Sequence, residues 1–370
     1  MIDFSQQKNA LHLMQILEEK GYEARLVGGC VRDALLGKPM GDIDMATTAS
    51  PEQVMAILSG QEIHVIPTGI KHGTVTAVLD KKPYEITTLR HDVTTDGRHA
   101  EVAFHDDWEL DARRRDFTIN AMSVDQKGQL FDYCDGQKDL KQKLLRFIDD
   151  PAKRIQEDYL RLLRYFRFAS TLDWELNDQK TLQICKELAP NLTGLSRERI
   201  QAELYKLLQG PGCLRIVQQM ADLGIWAQFI SAAPDIDRLK TLQSNDPFLR
   251  LVALAGTDER ALEKFIVLSR EQKDRLKAFN EIDPEWPLHK LLYVYGPQSV
   301  SDYAQLHQKD WQIVDWQHPV FPLKAEHVMP FTNGPGKQVG ELMKQAENWW
   351  IDQAFKPTLE QILEHFHLVR

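Results

Sequence analysis

The apolar positions of this chain change period as one reads along it. Residues 8 to 20 place apolar groups at helical spacing and stop at Gly21. EARLVGGC reads as a strand meeting a glycine turn, VRDALLG as a short helix stopped by Gly37, and IDMA as a second strand. SPEQVMAIL has a serine cap and a proline in its first turn, which marks a helix start. HVIPTG, GTVTAVLD and YEITTLR are β-branched runs separated by turn signals. The pattern predicts a mixed α/β unit with an antiparallel sheet, ending near residue 140. Beyond it the period is helical. PAKRIQEDYLRLLRYFRFAS predicts one long helix and LSRERIQAELYKLL another, with helical patterning past the GPG at 210–212 to about residue 280. The proline- and tryptophan-rich DPEWPLHKLLYVYG then leads into a last segment. No tandem repeat or low-complexity stretch occurs, and the fold class is α+β.

Composition narrows the picture. With 43% hydrophobic and 27% charged residues, 370 residues suffice for two or three globular domains. No apolar run is long enough for a bilayer, and MIDFSQQKNALHLMQILEEKG lacks the basic flank and apolar core of a signal peptide. Cys30, Cys134, Cys185 and Cys213 are far apart with no CxxC, so a reducing cytoplasm is expected, with neither disulfide framework nor zinc site. The formal charge of -9 argues against a general nucleic-acid coat, but basic residues cluster locally at Arg113–Arg115 and from Lys153 to Arg167.

Four stretches could carry chemistry. GDIDMA sets Asp42 and Asp44 two apart; on a strand they would share a face and hold the same ions. Magnesium prefers such oxygen donors, and two ions can bridge an attacking hydroxyl and a leaving diphosphate, with Glu85 of YEITTLR as third carboxylate. A solvent-facing turn with an ordinary edge glutamate explains the same letters. Gly28 and Gly29 at a strand end, followed by Arg32, suit phosphate, though a plain tight turn suits them too. The run fits neither GxGxxG nor GxxxxGK[ST]. RRRDFTINAM mixes Arg115, Asp116 and Asn120 with apolar Phe117, Ile119 and Met122; its polar residues could hold a sugar hydroxyl and phosphate, or simply start a helix. In QEDYLRLLRYFRFA, Asp158, Arg161 and Arg164 are three apart on one predicted helical side, while Leu160, Leu163, Phe166 and Phe168 bury the remainder. A carboxylate beside a guanidinium can read a base edge. It accepts the exocyclic amine of cytosine or adenine and rejects the carbonyl of uracil or guanine, each match worth about 1–3 kcal/mol. A solvated charged face is the plain alternative.

These blocks, with LSRERIQAEL, occur in the order and spacing of bacterial class II tRNA nucleotidyltransferases, the CCA-adding enzymes, in the family that also holds bacterial poly(A) polymerases. The resemblance covers residues 25 to 208 or so, and FPLKAEHVMPFTNGPGKQVGELMKQAENWW also resembles the end of CCA-adding enzymes. It implies a nucleotidyltransferase head (residues 1–140), a neck with the base selector (141–210), a body (211–285) and a tRNA-binding tail (286–370). It further implies that Asp42 and Asp44, with Glu85, serve two Mg2+ ions, and that Gly28, Gly29 and Arg32 contact the triphosphate of CTP or ATP. Arg115, Asp116, Asn120 and Arg167 would bind nucleotide, Asp116 at the ribose; Asp158 and Arg161 would select C and then A; Arg164 would assist at the phosphates. Glu198, Arg199 and Glu203 lie in a motif that supports the neck. RHDVTTDGRHAEVAF resembles the flexible loop that permits the switch from C to A, with Asp96, Gly97 and Arg98 its most distinctive part. The expected partner is tRNA, with no membrane and no stable protein partner. His91–Asp92 and His105–Asp106 fall inside the head and no such dipeptide follows, so the phosphohydrolase domain of some relatives is expected to be absent. From residue 300 the tail has nine Asp or Glu against six Lys or Arg, so RNA contact there is expected in a patch. The rivals are a poly(A) polymerase using the same metal site and a non-catalytic tRNA-binding protein.

Overall fold

The computed structural model describes the chain except residues 1–3, 5, 96–99, 314, 333–335 and 370, and describes 91–95 and 100–103 by backbone alone. It divides into two compact units, Met1–Pro234 and Asp235–Arg370.

The first unit begins with α1 (Lys8–Glu19), whose Leu13, Met14 and Leu17 are fully buried. Next come β1 (Ala24–Val27), α2 (Gly29–Leu35), β2 (Asp44–Thr47), α3 (Pro51–Ser59), β3 (His64–Gly69), β4 (Thr74–Leu79) and β5 (Lys82–Thr88). Ser50 and Gln53 form a reciprocal capping box at α3, as the serine–proline signal predicts. β6 (Arg90–Thr95) and β7 (Ala100–Phe104) pair as a separate hairpin, and Asp96, Gly97 and Arg98 between them lie outside the described residues. After α4 (Trp108–Arg113), β8 (Met122–Val124) and β9 (Leu130–Asp132) complete a seven-stranded sheet ordered β3-β4-β5-β2-β1-β8-β9. The sheet is mixed: β2 and β5 run parallel, with Asp44 opposite Glu85, while the other neighbours are antiparallel.

α5 (Gly136–Gln142) leads to the helices α6 (Pro151–Glu157), α7 (Leu160–Leu172), α8 (Gln179–Leu188), α9 (Arg197–Gln209) and α10 (Cys213–Asp222). One long helix was expected where α6 and α7 stand. The chain breaks at Asp158, which is extended (φ -156, ψ 107), and its Oδ1 accepts the Leu160 N–H at 3.1 Å. A short carboxylate competes with the backbone for amide hydrogens and so favours helix starts over helix interiors. α7 and α9 pack side by side and parallel: Arg167 meets Glu203, and three residues on the Ser170 hydroxyl donates to the Leu207 carbonyl at 2.6 Å. Gly210 allows the close approach behind them, since a Cβ there would stand 2.3 Å from Ser170 Oγ. Phe117 anchors the 116–120 turn on α7, its ring tilted against Phe147 at 4.7 Å and edge-on to Phe168 at 5.3 Å, with Tyr165 stacked 5.2 Å from Phe147. Truncating such a buried ring costs about 3–5 kcal/mol.

The second unit is helical. A core of Leu323, Val339, Trp350, Ile351 and Ile362 joins its later helices, including Lys337–Asp352 and Leu359–His365. Arg275, on the helix Arg270–Glu281, is buried between Asp246 (2.5 Å) and Asp302 (2.7 Å). Gly296 (φ 79) kinks the helix Leu288–Leu306 ahead of Pro297.

Candidate active site

A cleft of about 690 Å³ in the first unit gathers the predicted residues. Gly28, Gly29, Arg32, Asp42, Asp44, Arg115, Asp116 and Asn120 line it from the sheet side; Asp158, Arg161, Arg164 and Arg167 line it from the helices. Glu85 is exposed and lies outside this lining, held beside Asp44 by the parallel ladder.

Asp44 opens β2, but Asp42 sits in the bend before it, so the pair does not share a strand face as expected. Asp42 is exposed and Asp44 half-buried. Burial, then the nearby charges of Glu85 and Asp42, push the Asp44 carboxyl up to about 6, against the opposing pull of Arg115. Among the described residues no three Asp, Glu, His or Cys side chains form a complete metal cage. The carboxylates therefore offer a partial oxygen shell. This suits magnesium, which keeps waters and takes substrate phosphates rather than an all-protein cage.

Gly28 has φ 74 and ψ -125, a conformation glycine adopts without strain, and a Cβ there would approach Arg115 Nη1 to 3.2 Å. Arg32, on α2, grips Asp33 at 2.8 Å and donates to Asn120 Oδ1 at 2.7 Å. Asn120 Nδ2 donates in turn to Asp116 Oδ1 at 3.3 Å. Only one orientation of the Asn120 amide satisfies both neighbours. Asp116 Oδ2 accepts from Arg164 Nε at 2.7 Å; Arg164 and Arg167 share Glu203, at 3.6 and 2.6 Å. A continuous polar chain thus links α2, the 116–120 turn, α7 and α9. Burial alone would raise the Asp116 carboxyl, but Arg164 and the hydrogen bonds from Asn120 and the Phe117 N–H outweigh it and hold it below the usual carboxylate value. Asp111, likewise buried, is held down by Arg115 and Arg114.

Asp158 and Arg161 lie at one end of the cleft. Asp158 Oδ2 accepts from Arg199 at 2.7 Å, and its carboxylate retains lone pairs for another donor. Arg161 Nη1 donates to Glu157 at 2.5 Å and to the Arg154 carbonyl, and Nη2 donates to the Arg114 carbonyl. Three of its five N–H groups are engaged in these bonds, leaving Nε–H and one Nη2–H for a ligand. The two residues converge because Asp158 caps the helix on which Arg161 and Arg164 lie, not because all three form a helical stripe.

Asp111 and Lys206 carry no role in the sequence expectations, Arg114 enters there only as one of the three arginines of RRRDFTINAM, and Arg199 only as support for the neck. Asp111 stands three and four residues before Arg114 and Arg115, a helical pairing the letters do contain. Arg199 and Lys206 reach the cleft only through the parallel packing of α9, which no local pattern reveals.

A concave site with a glycine turn, bare carboxylates and an excess of guanidinium groups is built for a nucleoside triphosphate, and on this mixed sheet it defines a nucleotidyltransferase. Residues 24–146 match the poly A polymerase head domain, and residues 178–239 match the probable RNA and SrmB-binding site of polymerase A. The chain is 35% identical to the CCA tRNA nucleotidyltransferase 1, mitochondrial, of Homo sapiens, covering 95% of this chain and 88% of that one. It is 39% identical to the CCA-adding enzyme of Bacillus licheniformis, over 91% and 92% of the two chains. The crystal structure of the Bacillus stearothermophilus CCA-adding enzyme in complex with CTP is similar over 97% of this chain and 96% of that one, with a TM-score of 0.81 and 30% identity. The chain belongs to the family of CCA-adding tRNA nucleotidyltransferases.

Proposed function

We propose that this protein adds C, C and A to the 3′ end of tRNA, using CTP and ATP and releasing diphosphate at each step. One observation carries the reading: Asp42 and Asp44 and the Asp158–Arg161 pair line the same cleft, so one nucleotide can meet both. In the reaction the tRNA 3′ oxygen bonds to the α-phosphorus while the bond to the β-phosphate oxygen breaks. Asp42 and Asp44, with Glu85 in support, would hold two Mg2+ ions, which when bound favour the deprotonated hydroxyl and neutralise the leaving diphosphate. The Gly28–Gly29 turn, whose Gly28 N–H donates to the Met122 carbonyl, presents the Gly29 N–H to the triphosphate, with Arg32 and Arg115 beside it. Asp116, fixed by Arg164 and Asn120, is set to accept a ribose hydroxyl.

Asp158 accepts the amine of cytosine or adenine, and the spare N–H groups of Arg161 donate to the adjacent ring nitrogen. Uracil and guanine would place a carbonyl against the Asp158 carboxylate. Arg164 and Arg167 supply fixed positive charge, preorganised by Glu203. On this reading residues 1–140 supply the phosphate chemistry and 141–210 the base reading, while body and tail hold the tRNA by backbone shape. Asp96, Gly97 and Arg98 serve the change from C to A. All four cysteines are free, which supports a reducing compartment such as the cytoplasm.

The test is to incubate the protein with magnesium, CTP, ATP and a tRNA lacking its last three nucleotides, then sequence the product ends. The expected ends are CCA. Long A tails would point to a poly(A) polymerase, and no extension would leave only a binding protein.

A further inference from the structure

The arginines that α7 and α9 present to the cleft, Arg161, Arg164, Arg167 and Arg199, all sit against carboxylates. Lys206 also lines the cleft, from α9, and is exposed. Among the described residues it has no carboxylate within ion-pair distance. An exposed ammonium at the wall of a substrate cleft, with no carboxylate holding it, is available to an anionic ligand.

The helix register says which anion. α7 and α9 run parallel, so Asp158 faces Arg199 at one end and Ser170 faces Leu207 at the other. Lys206 lies seven residues beyond Arg199, about 10 Å along the helix axis from the base-reading end. At its level stands Phe168, whose ring carries the guanidinium of Arg167 at 3.6 Å and that of Arg32 at 5.1 Å. Arg32 lies on α2, the helix that follows the glycine turn, at the proposed phosphate end of the cleft.

We propose that Lys206 is a further substrate-binding residue, an ammonium that holds the β- and γ-phosphates and steadies the diphosphate as it leaves. This rests on the nucleotidyltransferase reading of the cleft. Lysine suits the task because it acts as a mobile point charge, unlike the arginines already fixed in forks. The triphosphate is common to CTP and ATP, so the effect does not depend on the base.

The experiment compares wild type with Lys206→Ala, Lys206→Gln and Lys206→Arg. The measurements are KM for CTP, ATP and tRNA, and inhibition by inorganic diphosphate, after thermal melting has checked each fold. Loss of one charged contact raises both nucleotide KM values by about tenfold, by the same factor, and weakens diphosphate inhibition in parallel. Lys206→Arg restores most of the loss, and KM for tRNA stays unchanged. Nucleotide and diphosphate values equal to wild type in both neutral variants would overturn the assignment. So would a rise in tRNA KM alone, which places Lys206 on the primer backbone, or a rise for one nucleotide only, which places it at the base. If wild type itself transfers no nucleotide, the reading of the cleft fails; if wild type is active and all three variants match it, only Lys206 is misassigned.

Discussion

Replacing Asp158 with asparagine separates charge from shape at the base-reading end. Asparagine caps helices as well as aspartate does, so the start of α7 persists. The lost charge leaves Arg199 without its carboxylate, but that side chain is 30% exposed and water can replace the partner. Stability should therefore change by less than about 1 kcal/mol. Selectivity should change far more. On the proposed reading the wild-type carboxylate makes a charged hydrogen bond to the amine of cytosine, worth about 1.5–3 kcal/mol, and repels the O4 carbonyl of uracil. The asparagine amide can turn its NH2 toward that carbonyl. The preference for CTP over UTP should fall by about 10- to 150-fold, from loss of the charged bond alone. The assay is single-turnover extension of a tRNA lacking its last three nucleotides, with each nucleotide in turn, reported as a ratio of kcat/KM. An Asp158→Asn protein that still extends tRNA and keeps the wild-type ratio within about threefold refutes the base-reading role.

Other expectations are as direct. Asp42→Asn and Asp44→Asn should each lower incorporation by about a thousandfold or more while leaving tRNA binding in a gel shift intact, and chelation should abolish wild-type activity until Mg2+ is returned. Normal incorporation by either variant would remove the metal assignment. Gly210→Ala drives a Cβ to 2.3 Å from Ser170 Oγ and 2.6 Å from its carbonyl carbon, so melting should show a loss of about 1–3 kcal/mol from forced separation of α7 and α9. An unchanged melting temperature would mean that the helices part freely. Asp111 and Asp116 have depressed carboxyl values in the fold, so their contribution is complete above the unfolded value of about 3.9 and lost as pH falls through the folded values. Asp116→Asn should flatten the acid limb of melting temperature below about pH 4; identical limbs in variant and wild type would contradict the Arg164 pairing.

Local signals were read well where one residue type has one structural use. Ser50 and Pro51 announce α3, and the β-branched runs announce β3 to β5. β8 and β9 were illegible because three residues are too few to show a period. The break at Asp158 was hidden because apolar spacing continues across it, and only the cap geometry reveals that the carboxylate has left the helix. In the cleft, motif residues stood out, and the resemblance put Arg199 and Glu203 in the support of the neck, but the individual pairings were not legible. Glu203 and Arg199 reach α7 and Asp158 through tertiary register, and the Arg32–Asn120 bond spans 88 positions.

The parallel ladder between β2 and β5 bears on how the molecule acquires activity. Asp44 and Glu85 become neighbours only after α3, β3 and β4, which separate them in sequence, have been made; α7 follows Glu85 by more than seventy residues and Arg199 of α9 by more than a hundred. No fragment emerging early from the ribosome contains a working centre. On this ordering catalytic competence should be a late event of maturation, and a chain cut short before α9 should lack it even with Asp42, Asp44 and Glu85 in place.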